Sequence, residues 1–258
     1  MARLTATFFS QALGTTTHAE IIFPFPPQQQ PLGAPPVKVL YLLHGMFGGC
    51  TDWLDSTRIS QYAKKENFIV VMPEVQNSFY SNMVYGGQYF TYVSQELPTY
   101  IEYMLNVKHT RANTYIAGLS MGGYGAMRIA LARPDFYTAV AAFSGVLDMV
   151  HLFTELKNAD DFRKKVAVSI LGEDLRVPPD GDLFTLASQL ANEPVKPRVL
   201  VTCGTEDFLL EGNRKFDAHM KGLDFAYTYQ EWAGAHDWDF WEECLTPMFA
   251  FFNDEAAQ

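Results

Sequence analysis

Cysteine is scarce in this chain and never paired: Cys50, Cys203 and Cys244 stand singly among 258 residues, with no C-x-x-C spacing. Isolated thiols exclude a disulfide framework and a spacing-defined zinc module, and they read as reduced thiols of a cytoplasmic protein. Basic residues are also few, with 19 lysines and arginines against 29 aspartates and glutamates and a formal net charge of −10. Such a chain repels phosphate backbones and anionic lipid, so nucleic acid and the membrane surface are poor partners. No apolar run approaches the ~20 residues of a membrane span, and the first residues lack the apolar core of a secretion signal.

What is present is a hydrophobic content of 48% and an aromatic content of 14%, enough for a sizeable core. At this length the chain reads as a single domain over residues 1–258. Residues 4–9 and 19–25 read as strands, and 24–36 as an exposed Pro/Gln-rich connection. Continuous apolar runs at 37–43 and 68–72 suit strands of a parallel sheet covered on both faces. Further strands are expected at 113–117, 138–143, 198–202 and 226–231. Helical spacing occupies 56–65, 90–107 (with Pro98 near a break), 124–132, 183–190, 211–221 and 238–252. The alternation predicts an α/β fold, a mostly parallel sheet flanked by helices with an antiparallel edge at its N-terminal strands. Residues 145–182 are polar and break the pattern. They read either as a small cap inserted over the carboxyl edge of the sheet or as a plain surface excursion.

Gly118-Leu119-Ser120-Met121-Gly122 lies between an expected strand and an expected helix. There it reads as a nucleophile elbow, a strained turn that lifts a serine hydroxyl above the sheet edge. A chain of this length shows G-x-S-x-G by chance about once in twenty, so the pattern matters for what else it requires. A serine hydroxyl is a weak nucleophile and needs a base, a carboxylate to orient that base, and donors for an oxyanion. In a sheet of this kind the order is serine, then acid, then histidine.

Three histidines follow Ser120. His219 lies within an amphipathic helical pattern, and His151 has no strand to position it. His236, in Gly234-Ala235-His236-Asp237-Trp238 after the last expected strand, is the candidate base. Asp207 and Glu206 both follow the preceding strand; Asp207 is preferred as the acid, with Glu206 as its competitor. The Met121 amide, next to the nucleophile, is one candidate oxyanion donor. The other comes from His44-Gly45-Met46-Phe47-Gly48-Gly49, with Met46 first and Phe47 second. No Gly-Lys-Ser/Thr follows those glycines, which removes a phosphate-loop reading, and His44 reads as a loop-shaping residue. Phe47, Trp53, Tyr85 and Trp238 are candidate substrate-binding side chains, with Tyr80, Tyr89 and Trp241 as further aromatics of the same kind.

Tyr41-Leu42-Leu43-His44-Gly45-Met46, Gly118 to Ala126 and the Gly234 to Trp238 run resemble the esterase D group of α/β-hydrolases. Bacterial tributyrin esterases are the nearest likeness; S-formylglutathione hydrolases and some feruloyl and acetyl esterases are similar. The resemblance covers nearly the whole chain and is weakest at 26–36 and 145–182. It implies the α/β-hydrolase fold and a serine carboxylesterase acting on a small-molecule ester through an acyl-enzyme. Ser120, Asp207 and His236 would be the triad and Met46 and Met121 the oxyanion donors. No metal or organic cofactor is implied, and the resemblance leaves room for a homo-oligomer. Thioester hydrolysis of the S-formylglutathione type is a neighbouring expectation; a non-catalytic binding protein on the same fold is the rival of another class.

Overall fold

A computed structural model describes residues 1–24, 37–159 and 161–254. The expected loop at 26–36 lies outside the described residues. Eight strands form one sheet: β1 (Ala2–Ser10), β2 (Thr15–Phe23), β3 (Lys38–Leu43), β4 (Phe68–Pro73), β5 (Thr114–Leu119), β6 (Ala139–Phe143), β7 (Arg198–Gly204) and β8 (Tyr227–Trp232). Their spatial order is β1-β2-β4-β3-β5-β6-β7-β8. β2 runs antiparallel to β1 and β4, and every other pairing is parallel, so the antiparallel edge is where the sequence puts it.

The central strands are apolar throughout because both faces of the sheet are covered. Tyr41, Leu43, Ile116 and Val140 pack on one side, while their neighbours Leu40, Leu42, Ala117 and Ala141 pack on the other. This is the period-two alternation of a strand, applied to residues that are all buried. Ten helices are described: α1 (Asp52–Ser56), α2 (Ile59–Glu66), α3 (Tyr89–Thr91), α4 (Leu97–Leu105), α5 (Met121–Ala132), α6 (Met149–Leu156), α7 (Phe162–Leu171), α8 (Leu183–Leu190), α9 (Leu210–Met220) and α10 (Trp238–Asn253). α1, α2 and α10 cover one face of the sheet and α4 to α9 the other. No helix among the described residues is long and apolar enough to cross a membrane.

Three expected segments differ in detail. The helix expected at 56–65 begins only at Ile59, and a separate short helix, α1, ends at Ser56, because Thr57 is extended between them. Its hydroxyl takes the Trp53 carbonyl and accepts the Ile59 amide. The expected helix at 90–107 contains a π turn, Tyr92–Glu96, immediately before Pro98. Proline cannot donate to the carbonyl four residues back and its ring crowds it. The wider turn relieves that crowding, and Arg133 Nη1 donates to the Ser94 carbonyl at 2.9 Å. The described residues of 145–182 hold more regular structure than their polarity suggests, with α6 and α7 among them. Phe153 and Leu156 of α6 and Ala167 and Ile170 of α7 are buried in the core beneath them.

Candidate active site

Parallel strands deliver their following loops to one edge, so the chain segments after β3, β5, β7 and β8 converge. The first is the loop from His44 to Gly49, and the second begins at Ser120. The third carries Asp207 and the fourth His236.

Ser120 sits in the turn between β5 and α5 with φ 53° and ψ −118°, a backbone conformation non-glycine residues avoid. Its amide donates to Phe143 O on β6, which fixes the turn against the neighbouring strand. The two flanking glycines are steric necessities. A Cβ on Gly118 would lie 2.4 Å from the Gly122 carbonyl oxygen, and one on Gly122 would lie 2.4 Å from Leu43 O. The helix start therefore packs directly on the end of β3, beside the glycine loop.

Ser120 Oγ lies 3.0 Å from His236 Nε2, and His236 Nδ1 lies 2.8 Å from Asp207 Oδ2. Asp207 Oδ1 accepts the Leu209 amide at 2.8 Å. Burial alone would push the Asp207 carboxyl up, but the His236 hydrogen bond, the neighbouring Ser144 hydroxyl and the Leu209 N–H outweigh it. The net effect holds this carboxyl below the ordinary carboxylate range. The adjacent Glu206 is exposed and turned elsewhere, its Oε2 accepting the Gly234 amide at 2.9 Å. The structure thus brings Asp207, not Glu206, to His236. Asp237, next to the histidine, caps α10 by accepting the Phe240 amide. The His236 ring is flanked by Phe208 at 4.5 Å and by Trp241, edge to face, at 4.9 Å.

The glycine loop after β3 is held from several sides. His44 Nδ1 lies 2.8 Å from Gly45 O, and its Nε2 accepts the Val75 amide at 3.2 Å. Phe47, with φ 67°, spends its N–H on Asn77 Oδ1 at 2.7 Å. His219 lies against Ser188 and Phe184 O, and His151 is exposed beside Glu155.

A cavity of about 620 Å³ opens over Ser120 and His236. Of the aromatic candidates, Phe47, Trp238 and Trp241 line it, together with Met46, the expected oxyanion donor. Trp53 and Tyr85 do not. Trp53 is completely buried beneath the site, its Nε1 donating to Leu43 O and its ring edge-on to Trp238. Tyr85 is exposed on a loop whose amide bonds Ser169 O of α7. Tyr80 is also buried, donating its hydroxyl hydrogen to His44 O, and Tyr89 lies in the core. Phe79, Leu152, Arg163 and Phe208 line the cavity without having been singled out. Only Phe208 had a local signal, its place next to Asp207; the others depend on where distant segments fold.

Two buried histidines tie the stability of the fold to pH, His44 in the glycine loop and His109 ahead of β5 at the opposite end of the parallel strands. Burial lowers the proton affinity of His44 and of His109, which lies 2.9 Å from the Tyr41 hydroxyl. Both fold neutral, so their contribution is complete above the unfolded value near 6.5 and declines as pH falls toward their lower folded values. Each is expected to cost up to about 1.4 kcal/mol of stability per pH unit in that window. Thermal melts from pH 7.5 to 5 should show a falling Tm, with a shallower fall in His109→Gln. An unchanged slope in that variant would remove His109 from the account.

Comparison with known proteins adds three findings. A family model described as "Putative esterase" matches residues 10–252. An acetyl esterase of Caldicellulosiruptor saccharolyticus is 30% identical over 265 residues, covering 98% of each chain. Two solved structures from Staphylococcus aureus superpose closely, each at 27% identity over 97% of this chain and 98% of theirs. One is the fluorophosphonate-binding serine hydrolase FphF, substrate bound, with a TM-score of 0.87. The other is the S-formylglutathione hydrolase FrmB, with a TM-score of 0.84.

Proposed function

Because the chain belongs to this esterase family and is a carboxylic ester hydrolase, we propose that it works as a serine esterase through an acyl-enzyme on Ser120. The observation that carries this reading is the continuous relay Ser120–His236–Asp207 at 3.0 and 2.8 Å. A neutral imidazole that donates Nδ1–H to the ionised Asp207 leaves Nε2 to accept the Ser120 proton. Ser120 Oγ then attacks the ester carbonyl, and the carbonyl oxygen takes the negative charge. The Met121 amide at the start of α5 is one donor for that charge. The second is the Met46 amide, because the Phe47 amide is already bonded to Asn77. The tetrahedral intermediate collapses as His236 returns its proton to the leaving alcohol. A water activated by the same imidazole then releases the acid.

A fluorophosphonate probe is expected to add one phosphonyl group to Ser120, located by peptide mass spectrometry. Labelling at another residue, or none, would overturn the assignment.

Residues 145–182 act in this reading as a small cap within a single domain. Most of their apolar side chains turn into the core, and Val146, Leu152 and Arg163 are their contribution to the cavity wall. So little apolar surface favours short acyl groups. In an open groove each added methylene would gain about 0.8 kcal/mol, roughly fourfold in kcat/KM, until the groove is filled. Here kcat/KM for p-nitrophenyl esters is expected to peak between acetate and butyrate, with tributyrin as a natural-type ester. A maximum at octanoate or longer would contradict the cap reading. Aryl esters are the second reading, favoured by the Phe47 and Phe162 rings, 6.0 Å apart and 69% and 55% exposed beside the cavity. Higher kcat/KM on feruloyl esters would select it, and a preference for S-formylglutathione would select the thioester chemistry of the FrmB relative. The buried, unpaired thiols and the net charge of −10 fit a cytoplasmic enzyme of small molecules.

A further inference from the structure

Three chain segments far apart in sequence meet beside the glycine loop. His18 lies in β2, Cys50 follows Gly48-Gly49, and Glu74 follows β4. Their backbones are already tied together. The Glu74 amide donates to His18 O at 3.1 Å, and Glu74 Oε2 accepts the Cys50 amide at 3.1 Å. The side chains point at one another as well. A ring nitrogen of His18, the Cys50 sulfur and a carboxylate oxygen of Glu74 all lie within 4.8 Å of each other.

We propose that His18, Cys50 and Glu74 form a zinc(II) site with one coordination position left for water. Imidazole nitrogen, thiolate and carboxylate are the donor types that zinc takes, in tetrahedral geometry. Zinc bonds of 2.0–2.3 Å place tetrahedral ligand atoms about 3.5 Å apart. Closing the site therefore asks for about an ångström of movement from the present separation. His18 can supply it by side-chain rotation, because it is exposed at its strand. Glu74 Oε1 and Oε2 accept the Gln76 and Cys50 amides, and each keeps a second lone pair for a metal. Burial, with the negative field of Glu74 and Glu20 added, pushes the Cys50 thiol up to about 12, so it is a neutral thiol without metal and needs a cation beside it to become a thiolate. Binding converts Cys50 from thiol to zinc thiolate, releasing one proton to solvent. The spacing 18, 50 and 74 resembles no zinc motif, which is why the isolated cysteines gave no sign of it.

The site adjoins the catalytic edge without belonging to it. Val75, next to Glu74, donates its amide to His44 Nε2, and Cys50 ends the loop that carries Met46. A metal here would fasten the Cys50 loop, which a single hydrogen bond ties to Glu74, to the already paired strands β2 and β4.

Zinc chloride titrated into the full-length protein against a chromogenic chelator is expected to show one site per chain. Cobalt(II) in its place should give thiolate-to-metal charge-transfer absorption. His18→Ala, at an exposed position, should keep its esterase rate and lose affinity at least tenfold, as should Cys50→Ser. Zinc at about a hundred times its Kd should raise the wild-type Tm by about 5 °C or more, and that of His18→Ala far less. Equal zinc affinity in the wild type and both variants would place the metal elsewhere and overturn the proposal. So would the lack of any binding at about 100 µM zinc, where even a weak site with a micromolar Kd is filled.

Discussion

Replacing Ser120 by alanine is expected to lower kcat by about 10⁶ while leaving the fold intact. The size of the loss follows from the geometry. His236 Nε2 has its proton to gain only from Ser120 Oγ, 3.0 Å away, and Asp207 orients an imidazole that would then have nothing to activate. Triad members act as a unit, so removing the nucleophile removes nearly all that the unit provides. What remains is the contribution of the oxyanion donors and of substrate binding. Stability should hardly change, because the hydroxyl is only partly buried and alanine takes the same turn conformation at the same cost. The check is p-nitrophenyl butyrate turnover in protein purified away from host esterases, alongside a melt. A variant retaining more than about a hundredth of the wild-type rate would show that the nucleophile is another residue.

The elbow was legible because its requirements are local. A sharp turn between strand and helix crowds its own backbone, and only glycine fits at 118 and 122; both close approaches, 2.4 Å for a Cβ, are with backbone atoms. The buried strands were legible for a similar reason. Strands buried on both faces favour apolar residues at successive positions, and 68–72 reads that way without reference to anything distant. The cavity wall was not legible, since it depends on which way a side chain turns. Trp53 follows the glycine loop as closely as a lining residue would, yet its indole N–H reaches Leu43 O and draws the ring under the site. Arg163 belongs to the segment with the weakest pattern and reaches the cavity only because α7 folds back across it. The π turn before Pro98 is a further case. The proline predicted a disturbance, but not that the helix widens rather than breaks, nor that Arg133, 35 residues on, donates to the Ser94 carbonyl inside the widened turn.

The choice between two adjacent acids gives the second large effect. Asp207→Asn is expected to lower kcat by about 10⁴, whereas Glu206→Gln should change it by no more than about twofold. The carboxylates differ in what they touch. Asp207 is buried, with one oxygen 2.8 Å from His236 Nδ1 and the other accepting the Leu209 amide. The Leu209 bond orients the carboxylate, so an asparagine there keeps its oxygen on Leu209 and turns its NH₂ toward Nδ1. That amide donates where the carboxylate accepted, which forces Nδ1 to be the unprotonated nitrogen and leaves Nε2 carrying the hydrogen. An Nε2–H cannot take the Ser120 proton, and the charge that would stabilise an imidazolium is gone as well. Glu206 carries neither role. Its Oε2 accepts the Gly234 amide, a bond that the glutamine oxygen reproduces. Because hydrogen bonds hold the Asp207 carboxyl below the ordinary range, the wild type keeps this charge in acid, and losing it by mutation should leave a deficit across the whole neutral range. Measuring kcat for both variants from pH 6 to 9 tests the argument. Equal losses, or a larger loss at Glu206, would move the orienting role to the exposed acid and require the loop from Thr205 to Leu209 to rearrange when substrate binds.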